Sequence, residues 1–143
     1  MKAILLIGML AVAAYANTPV IKSCDGYDGS TYQVDLSNTF TTPKDVEKGN
    51  HVNLAVNGVM TDDVQLNMLE LDVYWAGTFL QNVTAKETDS VSAGSPYTLN
   101  FGVDIPGFAP GGAYSLTAYV KGSAASSGSQ ITNLACLDVT FSL

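Results

Sequence analysis

Few side chains in this sequence are spaced for chemistry. His51 is the single imidazole, set at the start of an alternating stretch after "EKGN". General-base or nucleophile-activating work would need a serine or cysteine and a carboxylate arranged around it, and no G-x-S-x-G turn is present. A surface or turn histidine is the simpler reading. Asp25 and Asp28 in "CDGYDGS" could offer oxygens to calcium, but the spacing and terminal glutamate of a calcium loop are missing. They read as turn-forming aspartates, as do Asp62 and Asp63 in "MTDDV". The thirteen acids are scattered, and a glycosidase pair among them has no sequence signature. The expectation is a protein that is not an enzyme and holds no metal or cofactor.

Cys24 and Cys136 are the only cysteines and lie far apart. No CxxC or histidine cluster accompanies them, so a disulfide is favoured over metal or redox chemistry. Asn82-Val83-Thr84 is a glycosylation sequon. Residues 1–16 combine Lys2, the apolar run "AILLIGMLAVAA" and a small-x-small site at Ala14-Tyr15-Ala16, which is the pattern of a secretory leader. That places one domain at 17–143 and predicts a secreted or endolysosomal location.

Six lysines, one of them Lys2 in the leader, face thirteen acids, and no arginine occurs. A chain so poor in cations is badly suited to nucleic acid, and it lacks the guanidinium fork that clamps phosphate.

The elements that would carry any site follow a period of two. Tyr32, Val34 and Leu36 alternate with polar neighbours, as do Val52, Leu54 and Val56, and Leu69, Leu71, Val73 and Trp75. The same holds for Tyr97, Leu99, Phe101 and Val103, for Tyr114, Leu116, Ala118 and Val120, and for Leu137, Val139, Phe141 and Leu143. Such strands bury one face and wet the other, which is the habit of antiparallel sheets. "PVIKSC" and "TFLQNV" could add two more strands. The fold expected is all-β, a two-sheet sandwich of seven to eight antiparallel strands. Val64, Leu66 and Met68 run on the opposite parity from Leu69 onward, predicting a bulge near Met68-Leu69. "GSAASSGS" at 122–129 reads as a flexible loop.

One stretch does not fit a plain sandwich. "VDIPGFAPGGAY", 103–114, joins two strands yet holds Ile105 and Phe108 among prolines and glycines. Bulky apolar residues in a connecting loop call for something apolar to meet them. From patterning alone, a filled core and an apolar pocket remain open alternatives, since both use the same inward residues.

Three segments carry a resemblance. "EKGNHVNLAVNGVMTDDV" (47–64), "YTLNFGVDIPGFAPGGAYSLTAYV" (97–120) and "ACLDVTFSL" (135–143) resemble the ML lipid-recognition family. That family includes the sterol carrier of the Niemann–Pick type C pathway, phosphatidylglycerol/phosphatidylinositol transfer proteins and group 2 mite allergens. The likeness is greatest to the transfer-protein branch. It implies an immunoglobulin-like sandwich with a lipid cavity between its sheets and a disulfide from Cys24 to Cys136. The two further disulfides of several members are absent.

The cavity wall expected from the resemblance and the patterning is Leu54, Val56, Leu71, Val73, Trp75, Leu99, Phe101 and Leu116. The mouth is Phe79, Ile105, Phe108 and Tyr114. The function implied is a monomeric carrier that binds a sterol or phospholipid and transfers it through transient contact with a membrane or another carrier. The alternative is an adhesion or recognition module with a filled core.

Overall fold

The alternating segments form strands that pair into two sheets. The computed structural model describes residues 17–27 and 29–143; the leader expected over 1–16 and Asp28 lie outside these. The strands are β1 (Val20–Ser23), β2 (Tyr32–Val34), β3 (Phe40–Thr42), β4 (His51–Met60), β5 (Val64–Trp75), β6 (Thr78–Lys86), β7 (Ser90–Val91), β8 (Pro96–Asp104), β9 (Ala113–Ala124) and β10 (Thr132–Ser142). Ten strands thus stand where seven to eight were expected. The additions, β3 and β7, are three and two residues long, too short to show a period.

One sheet runs β1-β10-β9-β5-β6, with β7 also paired to β5; the other is built on β4, flanked by β2 and β3 and by β8. All pairings are antiparallel. The molecule is therefore an all-β sandwich of two antiparallel sheets.

The core forms where inward faces meet. Val52, Leu54, Val56 and Met60 of β4 and Leu99 and Phe101 of β8 pack against Leu69, Leu71, Val73, Ala118, Val120, Leu137, Val139 and Phe141 of the other sheet. The parity change in β5 is accommodated by an irregularity between Leu66 and Met68 in its pairing with β9. One extra residue there lets Leu66 and Leu69 both face inward. The tract read as a loop at 122–129 is only partly so. Strand β9 continues through Gly122 to Ala124 because both must lie inside; a Cβ on Gly122 would come within 2.6 Å of the Gln65 carbonyl oxygen.

The turn aspartates do structural work. The Asp62 carboxylate accepts from the backbone N–H of Ser126 at 2.9 Å, and that of Asp63 from Ala93 at 2.8 Å. Hydrogen bonds from Ser126, side chain first and then backbone, hold Asp62 below the usual carboxylate range.

Tyr32 makes the core sensitive to alkali. It is fully buried, and its hydroxyl lies 3.0 Å from the Val56 carbonyl oxygen and 2.9 Å from that of Tyr97, donating to one of them. Burial pushes its ionisation well above that of a free tyrosine. The folded state therefore keeps a proton that the unfolded chain releases near about pH 10. Stability from this group is complete below about pH 10 and falls as pH rises beyond it. Denaturation midpoints should drop between about pH 9.5 and 11.5, and Tyr32→Phe should shallow that drop.

Candidate functional site

The loop between β8 and β9 is fastened at both ends. At its start, the Ile105 N–H donates to the Asn50 carbonyl at 2.9 Å and the Gly49 N–H to the Ile105 carbonyl at 2.7 Å. At its end, Gly112 and Leu143 exchange backbone hydrogen bonds at 2.9 and 3.0 Å. Between these points the Tyr114 hydroxyl donates to the Pro110 carbonyl at 2.7 Å, and Trp75 Nε1–H to that of Gly111 at 3.2 Å. Tyr114 in turn stacks on Phe141 with ring centroids 5.5 Å apart. Gly112 sits at φ +125°, and a Cβ there would press on the Trp75 indole at 3.3 Å. The brace leaves the Phe108 ring outside, 90% exposed.

Under this loop lies a groove of about 240 Å³. Its walls are Val73, Leu80 and Gln81 from β5 and β6, Val103 to Pro106 and Phe108 to Pro110 from the loop side, and Tyr114, Leu116, Phe141 and Leu143. Gln81 and Asp104 bring polar side chains, and the Tyr114 hydroxyl is already engaged with Pro110. The groove lies where strands of both sheets, β5 and β6 of one and β8 of the other, meet the loop. Strand β6 is exposed along nearly all its length, and its Leu80 and Gln81 face Val103 and Asp104 of β8 across the groove.

Behind the groove is a second, much smaller space between the sheets, about 20 Å³. It is lined by Pro19, Thr41, Val46, Val52, Leu54, Leu71, Phe101, Val103, Ile105, Leu116, Val139 and Phe141. Val103, Ile105, Leu116 and Phe141 border both spaces, so these four side chains are the partition between them. The inner space has room for about one water molecule. The lipid-sized cavity expected between the sheets is therefore closed, its walls packed against each other.

Of the residues expected at the wall, Leu54, Leu71, Phe101 and Leu116 line the inner space, and Val73 and Leu116 the groove. Val56 and Leu99 line neither: they are register partners, buried in filled core. Trp75 lines neither, because its indole turns to the Gly111 carbonyl. At the mouth, Ile105, Phe108 and Tyr114 all border the groove, and Phe79 does not. A register shift between Val73 and Tyr74 sets Phe79 opposite Tyr74, against whose ring it packs edge-on at 5.7 Å. Leu80 takes the groove position instead. Phe79 and Leu80 are adjacent apolar residues, and choosing between them required the location of that shift.

His51 and Asp104 end neighbouring strands in register, and His51 Nδ1 lies 2.6 Å from Asp104 Oδ1. His51 is the exposed surface residue that the sequence suggests, and strand pairing gives it this partner at the groove's rim. Cys24 and Cys136 are disulfide-bonded. Asn82 lies on β6, where its Nδ2–H donates to Asp72 Oδ1 at 2.6 Å. Among the described residues no three His, Cys, Asp or Glu side chains converge as a metal site would require.

No protein-family model matches the chain, and no curated protein does. Among solved structures it is similar to the C-terminal domain of wzt, with a TM-score of 0.51 and 16% identity over 91% of this chain and 78% of that one. At that identity the likeness is one of fold alone.

Proposed function

We propose that this protein is an ML-type lipid carrier, non-enzymatic and without cofactor, that takes an alkyl chain into the groove beneath the 105–110 loop. The observation that carries this reading is the groove itself. It is walled almost wholly by apolar side chains, rimmed by an exposed phenylalanine, and shares four apolar residues with the small space in the sandwich interior. Burying a methylene contributes about 0.8 kcal/mol, so a chain needs an apolar slot and few directed contacts. Deeper entry requires Ile105 and Leu116 to give way and the sheets to part. The disulfide suits a secreted or endolysosomal setting, and transfer would proceed by transient contact of the Phe108 rim with a membrane or a second carrier.

The packed interior supports a second reading, a recognition module with a filled core that meets a protein through Phe108. Gentle purification followed by solvent extraction and mass spectrometry separates the two. The carrier reading expects lipid at a reproducible molar ratio, and uptake of labelled lipid from vesicles by the stripped protein. Protein that is repeatedly empty and takes up neither sterol, phospholipid nor single-chain lipid would refute it.

A further inference from the structure

The groove's size and charge narrow what it can hold. Groove and inner space measure about 240 and 20 Å³, below the roughly 300–1,000 Å³ of sites that enclose a drug-sized ligand. That size suits one alkyl chain better than a sterol nucleus or a pair of chains. Among the described residues Asp104 is the only carboxylate in the groove wall, and no lysine lines it. Asp104 is well placed to meet a head group because it sits at the rim, with its side chain 88% exposed. His51 occupies Oδ1, and among the described residues Oδ2 has no hydrogen-bond partner. The whole chain adds a formal net charge of −7 and no arginine, so its field repels anions approaching the groove. Gln81, on the facing strand, supplies the second polar side chain.

We infer that the groove is selective for single-chain lipids whose head group donates hydrogen bonds and carries no negative charge, with Asp104 as the specificity-determining residue. This rests on the carrier reading above. It separates a long-chain amine, alcohol or monoacylglycerol, which can donate to Asp104, from a fatty acid or anionic phospholipid, which would set like charges together in a groove with no lysine to offset them.

The test uses heads of different charge on one chain length: dodecylamine, monododecanoylglycerol and dodecanoate, each below its micelle concentration at pH 8 and low salt. Binding is read from the emission of Trp75, the single tryptophan, and confirmed by calorimetry. The amine and the monoacylglycerol should each bind about three-fold or more tighter than dodecanoate, a margin set by one exposed charge. Asp104→Asn should improve dodecanoate and weaken the amine by about two- to five-fold, whereas Asp104→Glu should keep the original order. Dodecanoate binding as well as the others, or an order unchanged in Asp104→Asn, overturns the inference and leaves the carrier reading standing. Binding of cholesterol or a diacyl phospholipid in preference to all three overturns the single-chain assignment. Failure of every lipid to bind refutes the carrier reading itself.

Discussion

Replacing Cys24 and Cys136 together with serine should lower folding stability by about 2–5 kcal/mol, the largest effect expected of any change outside the packed core. The two cysteines are 112 residues apart. Cross-linking a loop of about 100 residues removes roughly 4.7 kcal/mol of chain entropy from the unfolded state, before any native strain is subtracted. The native state loses something too. Strand β1 has only four residues, mostly exposed, and beyond its pairing with β10 it is fixed by the bond at Cys24 and by the Cys24 N–H to Cys136 carbonyl hydrogen bond of 3.1 Å. Urea denaturation of the native and double-serine proteins measures the difference. A shift under about 0.5 kcal/mol would mean that the unfolded chain is already constrained by other contacts.

The second large effect is on ligand retention. Ile105→Ser with Phe108→Ser should reduce lipid uptake by about ten-fold or more, because each large apolar side chain buried against a ligand contributes roughly 1.5–3 kcal/mol. The two residues differ in their cost to the fold. Phe108 stands out in solvent, so its replacement alone should change stability by no more than about 0.5 kcal/mol. Ile105 packs against the core and borders both spaces, so part of its effect will be structural. Phe108→Ser alone therefore decides the matter: uptake lost with the melting temperature kept assigns the residue to the ligand. Uptake unchanged in both variants would remove the loop from the site.

Much of this arrangement is legible in the sequence because burial in a sandwich follows strand parity. Leu54, Leu71 and Phe101 could be placed inward from alternation alone, and the parity break in β5 announced its own irregularity. Loop residues Ile105 and Phe108 were noticeable because apolar side chains are costly in a turn without a neighbour. What parity does not encode is which inward residues meet tightly and which leave space. Leu99 and Leu54 have the same pattern; one is sealed in core and the other faces the inner space. Nor does it encode sheet width. That Leu80 and Gln81 of β6 come to line the groove depends on how many strands each sheet recruits. The His51–Asp104 contact joins residues 53 positions apart and arises only from the register of β4 with β8.

The position of the disulfide bears on how such a molecule would open. Cys24 directly follows β1 and Cys136 lies within β10, neighbours in one sheet. The covalent bond thus acts as a rivet through a single leaf and never crosses to the facing one. The two leaves are joined by chain connections, by apolar contact and by hydrogen bonds such as Tyr97 to Asp89 and Val46 to Asn17, so the disulfide itself would not oppose a parting of the leaves. The stability that the cross-link lends is in this architecture separate from whatever holds the two leaves together.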